Sequence, residues 1–139
     1  TVPHDAREPL QLVCTDGARR LGVLTDLGHA TSHVLDQLAG CEALLLESNH
    51  DPEMLRASAY PAFLQKRVSG PYGHLTNAAA AAIAQQVQHA GLRQVVAAHL
   101  SQQNNRPALA QAALADALGW EAAQIGVADP LLGTDWLTV

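Results

Sequence analysis

The sequence predicts an α/β fold. Three observations carry this expectation. Short apolar runs of strand length alternate with longer Ala- and Leu-rich stretches of helical propensity. The helical stretches open on capping residues or proline and close on glycine. A chain of 139 residues, 48% hydrophobic and 15% charged, is long enough to bury one core and too apolar for disorder.

The elements follow in order. Leu10 to Thr15 reads as a strand, and Asp16-Gly17 as the turn of a hairpin whose return strand, Leu21 to Thr25, delivers Asp26. Thr31 or Ser32 caps a short helix to Leu38, closed by Gly40. Ala43 to Leu46 is a buried strand leading into Glu47-Ser48-Asn49-His50-Asp51. Pro52 suits the first turn of a helix through about Ala57, and Pro61 opens another that reaches Val68 and stops at Gly70-Pro71. Thr76 or Asn77 caps a helix over Ala78 to Ala90, which Gly91 ends. Gln94 to Ala98 is a strand with His99 at its tip. Pro107 starts a helix to about Leu118, with Leu109, Ala113 and Leu118 at near-helical spacing. Ile125 to Val127 and Trp136 to Val139 are expected as edge strands.

Composition excludes some functions. No apolar stretch approaches the roughly 18 residues that span a bilayer, so no membrane partner is expected. The net charge of −5 argues against a globally basic nucleic-acid binder; Arg56, Lys66 and Arg67 are the best candidates for a local basic patch. Cys14 and Cys41 lie in apolar runs without Cys-x-x-Cys spacing and read as buried free thiols. With no signal-peptide pattern, a reducing cytoplasm is the expected location. The opening Thr-Val-Pro-His, without an initiator Met, reads as that of a fragment or processed product. No GxxxxGK phosphate loop and no Gly-x-Ser-x-Gly elbow occur.

The chemistry gathers at the ends of the apolar runs, where His4, Asp26, His50, His74 and His99 fall. Metal ligation needs lone pairs aimed by a rigid scaffold, and His or Asp at a strand end meets that need. His4, Asp26 and His99 are the candidate ligands, with Asp26 able to bridge two cations through its two oxygens. Plainer readings compete. His29 and His33, at i and i+4, read as an incidental pair on an exposed turn. His89 reads as a partner of a helix C-terminal dipole. His50 divides evenly between turn residue and function. Asp5 and Asp51 read as turn starters, and Trp120 and Trp136 as core or half-interface packing.

Six stretches carry a resemblance: His-Asp-Ala-x-Glu-Pro (His4 to Pro9), Thr-Asp-Leu-Gly (Thr25 to Gly28), Glu-Ser-Asn-His-Asp (Glu47 to Asp51), Tyr60-Pro61, Gly-His-Leu-Thr-Asn (Gly73 to Asn77) and Ala-His-Leu-Ser-x-x-Asn-Asn (Ala98 to Asn105). In order and spacing they resemble the second half of a metallo-β-lactamase-fold hydrolase, in the YycJ/WalJ-like branch of nucleases. The resemblance implies the second half of an αββα fold, a mixed sheet with flanking helices. It also implies two divalent cations per complete site (Zn²⁺ or Mn²⁺, with Fe a further candidate), held in part by His4, Asp26 and His99. Asp26 would be the bridging aspartate. His74 would sit over the scissile phosphate as an acid or transition-state donor, so that the catalytic pair is His74 and Asp26. Glu47 and His50 would lie near the site, and Ser101, Asn104 and Asn105 would support it or contact substrate.

The family signature His-x-His-x-Asp-His is absent from these residues. The expectation is therefore a C-terminal half whose partner is the missing N-terminal half, the two together forming a phosphodiesterase or exonuclease that acts on nucleic acid through metal-activated water, the fragment alone being inactive. One alternative is a non-catalytic half-domain that exposes its apolar face and forms a homodimer. Another is a metallohydrolase of a small thioester or lactone.

Overall fold

The computed structural model describes residues 1–139, and a five-stranded mixed sheet in the order β1-β2-β3-β4-β5 runs through it. β1 (Leu12–Thr15) and β2 (Arg20–Leu24) pair antiparallel as the predicted hairpin. Asp16 closes their turn, its Oδ1 accepting from the backbone N–H groups of Ala18 and Arg19. β3 (Ala43–Glu47), β4 (Gln94–Ala98) and β5 (Ile125–Val127) then add in parallel. Parallel neighbours need long crossovers, and the helices supply them. α1 (Ser32–Leu38) joins β2 to β3. α2 (Pro52–Ala57), α3 (Ala62–Val68) and α4 (Asn77–Val87) lie between β3 and β4, and α5 (Pro107–Leu118) lies between β4 and β5.

The caps are those the sequence offers. Thr31, Asp51 and Thr76 accept backbone N–H groups in the first turns of α1, α2 and α4. Gly119 ends α5 in the left-handed region, at φ 68°.

Strand side chains alternate between faces. The register aligns Leu24, Leu46, Ala97 and Val127 on one face, with Leu44, Val95 and Ile125 in the row beside them. This face meets Val34 and Leu38 of α1, Ile83 and Val87 of α4, and Leu114 and Leu118 of α5 in one buried core. Leu12, Cys14, Leu21, Val23 and Leu45 point the other way; Leu12 and Cys14 are exposed and the others are half-buried.

Several expectations are corrected. Trp136 to Val139 form no strand, and Trp136 is fully exposed. After β5, Asp129 and Gly133 exchange two backbone hydrogen bonds and the residues beyond them make none with the sheet, while Val139 lies beside Cys14 and Leu21 of the β1–β2 hairpin. Cys14 is exposed rather than buried, because alternation on the edge strand β1 turns Val13 toward the core and Cys14 away; Cys41 is buried as expected. The α4 helix stops at Val87, short of Ala90. Gln88 and His89 leave it to donate to the carbonyls of Leu118 and Cys41, so His89 serves the neighbouring loop and not the helix terminus. His29 and His33 are both exposed, as expected of an incidental pair, with His29 before α1 and bonded to Pro71 O. In α5 the buried face is Ala110, Leu114, Ala115 and Leu118, whereas Leu109 is 41% exposed.

Candidate metal centre

Strands β2, β3 and β4 end at the same edge of the sheet, the usual ligand-binding edge of parallel α/β sheets. They present Asp26, Glu47 and His99 there. Asp26 (φ 59°) and His99 (φ 54°) are the two non-glycine residues with positive φ in the chain. A left-handed conformation at such a residue costs about 1–3 kcal/mol and persists only where its surroundings impose it. Here it turns each side chain at the end of its strand.

Two further segments complete the site. The Gly28 N–H donates to Pro3 O at 2.7 Å, fastening the His4 segment to the loop after β2. A Cβ on Gly28 would lie 2.1 Å from the Pro71 carbonyl, so only glycine allows the loop before His74 to pack this close. The His74 backbone N–H donates to Val68 O at the end of α3, at 2.9 Å.

The Glu47 carboxylate organises the centre. It is fully buried. Its Oε1 accepts from His74 Nδ1 at 2.7 Å and from His99 Nδ1 at 2.8 Å, while Oε2 accepts from the backbone N–H of Leu27 at 3.0 Å and of Leu75 at 3.3 Å. Burial alone would push its pKa up, but hydrogen bonds from His74, His99 and Leu27 outweigh burial and hold it at about 2. The hydrogen bond to Glu47 raises the pKa of His99 against the opposing effect of burial.

His4 donates Nδ1–H to Gly73 O at 2.8 Å, since a carbonyl can only accept. Its Nε2 therefore keeps a lone pair, 3.5 Å from Asp26 Oδ1. Two ligands on one tetrahedral zinc, each about 2.0–2.1 Å from the ion, lie about 3.3 Å apart. The His4–Asp26 pair thus has the spacing and lone pairs that suit a shared divalent cation. The metal-facing atoms of His4, Asp26 and His74 all fall within 4.8 Å of one another, as do those of Glu47, His74 and His99. The second group is held together by contacts of hydrogen-bond length, so Glu47 orients the rings of His74 and His99, while His4 and Asp26 of the first group could hold a cation. The His4 and His74 rings are 4.8 Å apart and the His74 and His99 rings 5.1 Å apart, giving a row of three imidazoles.

Of the sequence-predicted residues, His4, Asp26, Glu47, His74 and His99 converge. His99 Nδ1 is 3.9 Å from Asp26 Oδ1 but is committed to Glu47, which leaves Nε2 as its free nitrogen. His50 is 1% exposed with neither ring nitrogen hydrogen-bonded, and burial lowers its pKa. Ser101, Asn104 and Asn105 brace the site from beneath. Ser101 Oγ accepts from the Asn104 N–H at 3.1 Å, and Asn105 Nδ2 donates to Ser48 O at 2.7 Å and Asn77 Oδ1 at 2.8 Å. With Asn104 and Asn105 buried, this network ties the loop after β4 to the loop after β3. Asn49 Nδ2 adds a 2.9 Å bond to His99 O.

Asp5 has a part that the turn reading missed. It accepts a hydrogen bond from Arg67, which lowers its pKa, and lies 3.6 Å from His4 Nε2. Its position next to His4 was the available signal. Asp51 does start a turn, as the cap of α2.

No family model matches the chain. A protein named exodeoxyribonuclease YycJ from Bacillus anthracis is 33% identical over 134 residues, which span 96% of this chain and 51% of that protein. One named exodeoxyribonuclease WalJ from Streptococcus pneumoniae is 28% identical over 126 residues, 91% of this chain and 47% of WalJ. The chain thus spans about half the length of the curated relatives it matches. Among solved structures, Zn²⁺-bound PqqB from Methylobacterium extorquens has a TM-score of 0.64 at 18% identity, covering 93% of this chain and 40% of PqqB. That likeness is one of fold. The chain has the architecture of the second half of a metallo-β-lactamase fold, and it is similar to the YycJ and WalJ proteins over about half of their length.

Proposed function

We propose that this chain contributes one side of the active site of a metal-dependent nuclease, a phosphodiesterase or exonuclease acting on nucleic acid. The observation that carries the reading is the Glu47 carboxylate joining His74 and His99 beside the His4–Asp26 pair. The names of the curated relatives, exodeoxyribonucleases, support the substrate class.

The donor set fits divalent cations, with His4, Asp26 and His99 supplying ligands and His74 close by. Zn²⁺ and Mn²⁺ both suit such a set. Cations bound here would offset phosphate charge and supply a water that ionises near neutral pH. The chain's own residues do the rest. Glu47 holds Nδ1–H of His74, which fixes the tautomer and orientation of the ring and leaves Nε2 for the substrate. As a water oxygen bonds to phosphorus and the ester P–O bond breaks, His74 Nε2 delivers a proton to the departing oxygen. His4 is kept in place by Gly73 O, so its Nε2 needs no reorganisation to bind.

We further infer that the remaining ligands come from an N-terminal half. That half would pack on the sheet face formed by Leu12, Leu21, Val23 and Leu45. Exposed Leu131, Leu132 and Trp136 favour a second reading, association of this half with another copy. Size-exclusion chromatography separates the two readings.

The test is metal content and hydrolysis of end-labelled DNA by the full-length protein, compared with Asp26→Ala. The proposal expects two metals per chain and a variant that loses both metal and cleavage. Retention of both by Asp26→Ala overturns it.

A further inference from the structure

Helix α3 and the loop between it and His74 carry exposed side chains that the hydrolytic chemistry does not use. Phe63 is 75% exposed and Tyr72 is 59% exposed. They are the chain's single Phe and one of its two Tyr, so such exposure takes up a large part of a small aromatic supply. Residues three and four apart on a helix are neighbours, so Phe63, Lys66 and Arg67 share the outer face of α3. Lys66 makes no ion pair, whereas Arg67 is bonded to Asp5.

This face is continuous with the site. Arg67 lines a recess of about 170 Å³ together with His4 and His74. The end of α3 holds the His74 backbone at 2.9 Å, and Tyr72 O accepts from the Asp5 N–H at 2.9 Å. The charge is local and opposite to that of the chain: α3 contains Lys66 and Arg67 and no acidic residue, within a protein of net charge −5.

The geometry points to a platform for single-stranded nucleic acid on α3 and Tyr72, in which Phe63 and Tyr72 stack on bases and Lys66 meets backbone phosphates. It deepens the nuclease reading and rests on it for the identity of the substrate. Exposed aromatics beside cations recognise unpaired strands because every unpaired base offers a π-face, whereas a duplex hides its faces in the stack. The strand would run from the platform past the recess toward His74.

The experiment uses the full-length protein with EDTA present to prevent cleavage. Anisotropy of a fluorescein-labelled oligothymidylate gives Kd for wild type, Phe63→Ala, Tyr72→Ala and Lys66→Gln; hydrolysis of bis(p-nitrophenyl) phosphate is followed separately with Mn²⁺ added. The expected result is a loss of about 5- to 100-fold in affinity for each aromatic variant. Lys66→Gln should lower the slope of log Kd against log salt by about 0.7, while the aromatic variants leave that slope unchanged. Hydrolysis of the small diester should be unchanged in all three, because none of these residues touches the centre. Wild-type affinity and slope in every variant overturn the platform and place Phe63 and Tyr72 in packing against the rest of the protein. If the small diester is not hydrolysed while oligonucleotide binding still depends on Phe63 and Tyr72, the nuclease reading fails and the platform stands.

Discussion

Replacing Glu47 by Gln removes the charge on which three segments converge. The carboxylate accepts four hydrogen bonds, two from imidazoles and two from backbone N–H groups. A glutamine presents one oxygen and one NH₂, so its nitrogen faces donors that it cannot satisfy. The fall in the Glu47 pKa from an ordinary 4.5 to about 2 corresponds to about 3 kcal/mol of native-state stability. A lowered carboxylate pKa stabilises the fold above pH 4.5 and ceases to do so as pH falls from there to about 2. The raised pKa of His99 works in the opposite sense: its contribution is full below the ordinary 6.5 and is lost as pH rises through the folded value. The assay is urea unfolding of chelator-treated protein at a series of pH values. Glu47→Gln should lose about 3 kcal/mol near pH 6, lowering Tm by roughly 10 °C, and its stability should vary less than wild type's between pH 4.5 and 2. A loss below about 1 kcal/mol, or an unchanged acid limb, refutes the claim that this carboxylate holds the site together.

Four further outcomes follow from the geometry. His4→Ala should remove bound metal by elemental analysis while changing the urea midpoint little, because His4 meets the scaffold through the single bond to Gly73. Gly28→Ala forces the Pro71 carbonyl from a 2.1 Å approach; the loop carrying His74 should shift, and metal affinity should fall 10-fold or more in a competition titration, on the order seen for lost outer-shell support. Asn105→Ala leaves Ser48 O and the Asn77 amide without partners in a buried place, for a loss of about 1–3 kcal/mol by chemical denaturation. Leu114→Ala, at a fully buried position in α5, should destabilise by about 2–5 kcal/mol in the same assay and leave metal content unchanged.

Much of this protein was legible in its sequence, because much of it is local. The Asp16-Gly17 turn, the caps Thr31, Asp51 and Thr76, the prolines opening α2 and α5, and the apolar run of β3 each act within a few residues of themselves. Strand ends presenting His and Asp could be read the same way, and the order of six motifs resembled the family in which the fold was then found. What depends on a second segment could not be read. Cys14 looked buried because an apolar run does not say which face of an edge strand meets the helices. Trp136 looked like part of a strand because an apolar run does not say whether a sheet partner lies beside it, and residues 134–139 find none. His89 looked helical, but its Nε2–H donates to Cys41 O, 48 positions away.

The sequence by itself determined the elements, their order and which side chains stand at strand ends, since those follow from periodicity, capping and turn chemistry within short windows. Only the tertiary structure decided that Glu47 would bind both His74 and His99, that Asp5 would reach Arg67, and that Asp26 and His99 would adopt left-handed backbones. The physical reason is that these contacts join residues 27 to 62 positions apart. Strand register and helix packing, acting over the whole chain at once, set such distances.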